Sequence, residues 1–106
     1  MRTIEGLSNE ELELIRRCLD AVANGPFFPD WEFRTLLGYS RDEVREVLRR
    51  WPVDNNQAEV TAVVVSALNN LTGYPHGDVD SWNRYVRAPE SAVLAILRKL
   101  TASRES

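Results

Sequence analysis

Apolar residues recur at intervals of three and four along much of the chain, which is the period of an α-helix that buries one face. The first such stripe comprises Leu12, Ile15, Leu19 and Val22, with Cys18 beside it. The later stripes are Val44, Val47, Leu48 and Trp51; then Val60, Val63, Val64, Ala67, Leu68 and Leu71; and finally Val93, Leu94, Leu97 and Leu100. We therefore predict amphipathic helices that share one hydrophobic core.

Polar residues mark where these helices begin. Ser8 with Glu11, and Ser40 with Glu43, each form a capping box. In such a box the serine hydroxyl accepts from the amide three residues on, and the glutamate reaches back to the serine amide. Segment 56–59 supplies a weaker third box. Two strong boxes directly before two apolar stripes predict two helix starts.

Glycine and proline predict the helix ends and the links. Gly25-Pro26, Gly38, Pro52 and Gly73 each follow an apolar stretch and are expected to end a helix. Pro29-Asp30 and Pro89 are expected to begin helices, and a short turn is expected at 81–85. The tail from Thr101 is expected to fray.

These elements predict an all-α fold, a compact orthogonal bundle of five or six helices. We expect a single domain over residues 1–106 with an ordered core at about 7–100. The β-branched run 63–65 is typical of a strand. However, it lies in a helically spaced segment, so we predict a central buried helix over 57–71.

Composition is that of an ordinary globular protein, with 43% hydrophobic and 27% charged residues. No apolar run reaches the roughly 20 residues of a membrane span, and the N-terminal residues do not resemble a secretory signal. The single cysteine, Cys18, fits a reducing compartment, so we expect a cytoplasmic protein. Arginine makes up 12 of the 13 basic residues, which favours a GC-rich bacterial source.

Charge is unevenly distributed around a net value of -3. Segment 33–53 carries five arginines against three acids, whereas segment 54–83 carries four acids and neither lysine nor arginine. A basic hairpin is therefore followed by an acidic region, and each suggests a different partner.

The basic segment 33–48 resembles a bacterial helix-turn-helix. Its apolar residues stand where that motif places its packing and turn positions: Phe33, Leu37, Tyr39, Val44 and Val47, with Gly38 in the turn. Arg34 departs from the pattern, because the family usually has a small residue there. The resemblance implies a recognition helix over 41–51 with Arg41, Arg45 and Arg49 on one exposed stripe. The alternative is a capped αα-hairpin whose charged face is solvated.

The acidic region offers the competing surface. Tyr74, His76, Asp78, Asp80 and Trp82 fall within nine residues. Tyrosine and tryptophan are frequent interface hot spots, and carboxylates without a neighbouring cation favour a basic partner. In size and charge the chain resembles small acidic immunity and accessory proteins of bacteria. The alternative is that Tyr74 and Trp82 close the base of the helical core.

The sequence gives little support for a catalytic site or a metal-binding site. Cys18 lies near an apolar stripe, where a thiol behaves as a small hydrophobe. His76, Asp78 and Asp80 could hold a divalent ion, but either aspartate could instead cap a short helix. No phosphate-binding glycine motif is present. We expect no catalytic residue, no cofactor and no resident metal.

We therefore interpret the chain as a non-catalytic protein-interaction module, of the immunity or accessory type, that binds a protein with a basic surface. The alternative is a DNA-binding helix-turn-helix regulator.

Overall fold

The capped, amphipathic segments are helices in the computed structural model, which describes residues 7–52, 57–74 and 77–105. These residues form six α-helices and no strand: α1 (Asn9–Asn24), α2 (Asp30–Leu37), α3 (Arg41–Arg50), α4 (Gln57–Gly73), α5 (Val79–Tyr85) and α6 (Glu90–Glu105). The prediction of an all-α bundle is confirmed.

Both strong capping boxes are present. The amide of Glu11 donates to Ser8 Oγ at 3.1 Å, and the amide of Ser8 donates to Glu11 Oε1 at 2.9 Å. Ser40 and Glu43 make the same reciprocal pair at 3.1 and 2.7 Å. These bonds satisfy amides that the first turn of a helix leaves without partners. The weaker box predicted at 56–59 begins outside the described residues.

Glycine ends α1 and α2 for two different reasons. A Cβ at Gly25 would lie 2.5 Å from the carbonyl oxygen of Ala21, so close packing requires glycine there. Gly38 has φ of +80°, a left-handed conformation that glycine adopts without strain. At the other end of the chain α6 continues to Glu105, beyond the fraying predicted from Thr101.

Two helices share the centre of the bundle. α1 packs on α3, α4, α5 and α6, while α4 packs on α1, α2, α3 and α6. The predicted central buried helix over 57–71 is therefore present, because α4 packs on four other helices. α1 shares the centre because its buried face is wide and contains Leu14, Ile15, Cys18, Leu19, Ala21, Val22 and Ala23.

Two predicted helix faces differ in detail from the structure. In α6, Ile96 is buried with 3% of its surface exposed, whereas Leu94, predicted to point inward, is only half-buried. In α3 only Val44 is fully buried, and Val47, Leu48 and Trp51 pack against the edge of the core. The short α3 therefore lies over the core without entering it deeply.

The link between α1 and α2 is part of the core. Phe27 and Phe28 are buried at 2% and 4% exposure. Phe28 makes an edge contact with Phe33, at 6.2 Å between ring centroids. Two aromatic rings thus fix the start of α2 against the end of α1.

Within the described part of the chain, none of the helices combines the length and the apolar character needed to cross a membrane.

Candidate functional site

The start of α5 carries the predicted acidic residues. Asp78 is the N-cap of α5, and its Oδ1 accepts from the amide of Ser81 at 3.1 Å. Asp80 lies exposed in the first turn of the helix. Asp78 therefore has the capping role that we considered as an alternative to metal binding. His76 lies outside the described residues.

Tyr74 joins the end of α4 to α2. Its hydroxyl donates to Glu32 Oε1 at 3.1 Å, and its ring centroid lies 5.3 Å from that of Phe28. The hydrogen bond to Glu32 is the main reason why the pKa of Tyr74 lies above its usual value, since ionisation would place two negative charges together. Tyr74 is half-buried and packs against the core.

Trp82, in α5, is also half-buried at the edge of the core. Its Nε1 donates to the carbonyl oxygen of Ala88 at 2.7 Å, and its ring packs against the core. Both aromatic residues therefore contribute to the edge of the core, as the alternative interpretation expects, and neither is fully buried. Whether they also contact a partner stays a prediction.

A groove with a volume of about 210 Å³ lies between the starts of α5 and α6. It is lined by Gly77, Asp78, Val79, Trp82 and Glu90. The structure thus brings two of the predicted residues, Asp78 and Trp82, together with three that the sequence analysis did not name as site residues: Gly77, Val79 and Glu90. Val79 is 67% exposed and is one of two large apolar side chains, with Trp31, that the described residues leave exposed. The groove combines apolar walls with two carboxylates.

Arg41 does not lie on an exposed stripe with the other two arginines, and that prediction is wrong. Its side chain is only 19% exposed. It donates to three main-chain carbonyl oxygens, those of Val22, Ala23 and Phe28, at 3.3, 3.1 and 3.2 Å. The last carbonyls of a helix lack partners inside that helix, and α1 has no basic residue in its last turn. Arg41 supplies the missing donors from α3.

Two further contacts hold Arg41 in this position. Its Nη2 is 2.8 Å from Asp30 Oδ1, and its guanidinium carbon lies 4.3 Å from the centre of the Phe33 ring. Both residues belong to α2. The side chain therefore connects three helices, which explains why it turns away from solvent.

Arg45 and Arg49 are more exposed, at 48% and 68% of their side chains. Arg45 donates to Asn24 Oδ1 at 3.0 Å and forms an ion pair with Asp42 at 3.1 Å. Arg49 forms an ion pair with Glu46 at 2.6 Å. Carboxylates of α3 itself therefore offset much of the positive charge that the sequence suggested for this face.

Trp31 is a candidate that sequence reasoning missed. It lies in the first turn of α2, between Asp30 and Glu32, and is 81% exposed. One signal was available, because the residues three and four positions further along, Arg34 and Thr35, are polar. A tryptophan with polar helical neighbours lies off the apolar stripe of its helix.

Cys18 is fully buried, and this burial raises the pKa of its thiol to about 12. The thiol is therefore protonated at neutral pH and is not a nucleophile. Among the described residues, no group of three or more His, Cys, Asp or Glu side chains is placed to hold a metal ion.

Comparison of the chain with models of protein families, with curated proteins and with solved structures found no match.

Proposed function

We propose that this chain is a non-catalytic protein-interaction module that binds a basic partner through the groove between α5 and α6. The observation that carries the proposal is the exposed Val79 beside a groove that Asp78 and Glu90 border with carboxylates. An apolar residue at 67% exposure gains from being covered. A basic partner can cover it and bring cations to the adjacent acids.

The groove fits the chemistry of a lysine or arginine side chain. These side chains place an aliphatic stem against apolar surface while the charged end stays near polar groups. Val79 and Trp82 supply the apolar walls, and Asp78 and Glu90 supply the negative charge. A volume of about 210 Å³ suits one inserted side chain.

The surrounding charge favours the same class of partner. Segment 54–83 contains four acids and neither lysine nor arginine. A surface of one sign accelerates encounter with an oppositely charged protein, by an amount that falls with added salt. An immunity or accessory protein of a bacterial cytoplasm, binding a basic partner, is the biological role that we propose.

The test is capture of partners from a lysate of the source organism, with the wild-type chain and the Val79→Ser/Asp80→Asn double variant as baits. Both positions are exposed and neither is the cap of α5, so the variant is expected to fold normally. Glu10→Gln, at an exposed position on α1, is the matched control. Captured proteins are identified by mass spectrometry and then purified for measurement of Kd.

We expect a captured protein with a basic surface, whose affinity falls by about tenfold in the double variant and by less than about twofold in the control. The affinity of the wild type should also fall as salt is added. If no protein is captured in a manner that depends on Val79 and Asp80, the proposal fails.

DNA binding through α3 is the alternative function. Of the three arginines predicted to contact DNA, only Arg45 and Arg49 are exposed enough to do so. Arg41 is held by the carbonyls of α1, so phosphate contacts would come from Arg45, Arg49 and Arg50. The test is fluorescence anisotropy of duplex DNA at low and at physiological salt. Binding that weakens steeply with salt and is lost in Arg45→Ala/Arg49→Ala would support this alternative. Absence of binding at low salt would remove it.

A further inference from the structure

Trp82 forms a fixed apolar wall of the groove between α5 and α6. Its indole N–H donates to the carbonyl oxygen of Ala88 at 2.7 Å. Its own carbonyl oxygen accepts from the amides of Val86 and Arg87 at 2.8 and 3.3 Å, so the side chain and the backbone are both held in position. Because the indole N–H is bonded to Ala88, Trp82 offers the groove the carbon atoms of its ring.

Carboxylates from two helices border the same groove. Asp78 is the N-cap of α5, and Glu90 lies exposed in the first turn of α6. Both line the groove together with Val79, which is 67% exposed. A cation that enters the groove therefore meets negative charge from two helices and apolar surface from Val79 and Trp82.

The arginines of this region are not part of the groove lining. Arg84 lies on α5 and Arg87 in the link to α6, and neither lines the groove. The charge of Arg87 acts on α1 instead. The pKa of the Glu13 carboxyl lies below its usual value mainly because of its hydrogen bond with Arg16, and the charge of Arg87 contributes to the same shift. Among the described residues that line the groove, two are acids and none is a base.

Arg41 shows how an arginine is bound by a ring and a carboxylate within this fold. Its guanidinium carbon lies 4.3 Å from the centre of the Phe33 ring, and its Nη2 is 2.8 Å from Asp30 Oδ1. These contacts leave its side chain only 19% exposed. Lys99, which forms an ion pair with Glu11, stays 56% exposed. The difference agrees with the chemistry of the two groups, because a guanidinium is planar and weakly hydrated whereas an ammonium is a strongly hydrated point charge.

We infer that the groove selects arginine over lysine, and that the basic partner inserts an arginine side chain against Trp82. This inference rests on the proposed function. A planar guanidinium stacks on an aromatic ring, and its five N–H groups donate to carboxylates from two helices at once. An ammonium has no flat face to stack and loses more hydration against apolar walls. Tryptophan is the ring that attracts a cation most strongly, and a wall that is already fixed adds little ordering cost to binding.

The experiment compares octa-arginine with octalysine, two peptides of equal charge. Kd is measured for each by isothermal titration calorimetry at low ionic strength and below the melting temperature of every variant. The ratio of the two Kd values is the readout, because general attraction to an acidic protein acts on both peptides. Trp82→Leu removes the ring and keeps an apolar side chain. Trp82→Phe keeps a smaller ring and replaces Trp82→Leu if that variant does not fold.

We expect octa-arginine to bind the wild type at least about fivefold more tightly than octalysine. Trp82→Leu should reduce this ratio to below about twofold, chiefly by weakening octa-arginine, and Trp82→Phe should give an intermediate ratio. Val79→Ser/Asp80→Asn should weaken both peptides. The control Glu10→Gln should change neither Kd by more than about twofold.

The other outcomes overturn the inference in distinguishable ways. If the wild type binds both peptides equally and Val79→Ser/Asp80→Asn weakens both, the groove accepts any cation, so the inference is wrong and the proposed function stands. A preference for arginine that the Trp82 variants leave unchanged arises outside the groove and also overturns the inference. If neither peptide binds, or if no groove variant weakens either peptide, the inference and the proposed function fail together.

Discussion

Arg41, a residue of α3, binds both the C-terminal end of α1 and the start of α2. Its guanidinium donates to carbonyls that α1 cannot satisfy and also pairs with Asp30. Hydrogen bonds from a charged group contribute more than neutral ones, and their removal leaves half-buried acceptors without donors. We therefore expect Arg41→Ala to lower the free energy of unfolding by about 2 kcal/mol.

Urea denaturation measures this change, and Arg49→Ala is the matched control. Arg49 lies on the same helix, but its ion pair with Glu46 is exposed, so its removal should leave the urea midpoint unchanged. Equal stability of the two variants would show that the contacts of Arg41 with α1 do not support the fold.

The buried thiol of Cys18 should make the stability of the fold depend on pH. Burial raises the pKa of its thiol to about 12, against 9.0 for an unperturbed thiol. The folded state therefore keeps a proton that the unfolded state releases, and stability should fall as pH rises from about 9 towards 12, by up to about 1.4 kcal/mol per pH unit. Urea midpoints measured across this range should decline more steeply in the wild type than in Cys18→Ala. Parallel declines would contradict the assignment.

Asp78 and Asp80 differ in role although they are two residues apart in one short helix. Asp78 accepts from the amide of Ser81 at the start of α5, whereas Asp80 lies exposed in the first turn. Loss of an N-cap costs about 1 kcal/mol. Asp78→Ala should therefore lower the thermal midpoint, and Asp80→Ala should leave it nearly unchanged. If both variants melt together, the cap does not stabilise α5.

The same difference in role determines how the proposed binding surface can be tested by mutation. Substitution of Asp78 would weaken α5 and the groove together, so a loss of binding could not be assigned to charge. Val79 and Asp80 avoid this problem, because both are exposed and neither caps the helix.

The orientation of α6 can be tested by comparing Ile96 with Leu94. Ile96 is 3% exposed, while Leu94 is half-buried. Truncation of a buried isoleucine to alanine costs about 3 kcal/mol, since it removes apolar contacts and leaves a cavity. Ile96→Ala should thus destabilise the chain more than Leu94→Ala in urea denaturation. The reverse order would mean that α6 is rotated about its axis.

Helix starts were predictable because their chemistry is local. Ser8 and Ser40 bond to residues only three positions away, so the pattern is visible in the sequence. The inward turn of Arg41 was not predictable, because its acceptors lie 18 and 19 residues away on another helix. The exact face of α6 also depends on tertiary packing, because Leu94 and Ile96 are both apolar and lie about 200° apart around the helix.

The candidate site was predictable only in part, because some of its residues come together only through tertiary packing. The acidic stretch and its aromatic residues stand together in the sequence, so Asp78 and Trp82 were identified. Glu90 belongs to another helix, and only the fold shows that it borders the groove at the start of α5.

On the scale of the whole molecule, the two candidate surfaces differ in the charges that their own segments carry. On α3, Arg45 and Arg49 each form an ion pair with an acid of the same helix. Segment 54–83 contains four acids and neither lysine nor arginine. The basic partner proposed above is the class of partner that this difference in charge favours.

The most direct test of this account is photo-crosslinking inside cells of the source organism. A photoreactive phenylalanine derivative replaces Val79 in one variant and Glu10, at an exposed position on α1, in another. The account predicts a discrete crosslinked species from position 79, containing a protein with a basic surface, and none from position 10. No crosslinked species from position 79, or the same species from both positions, would contradict it.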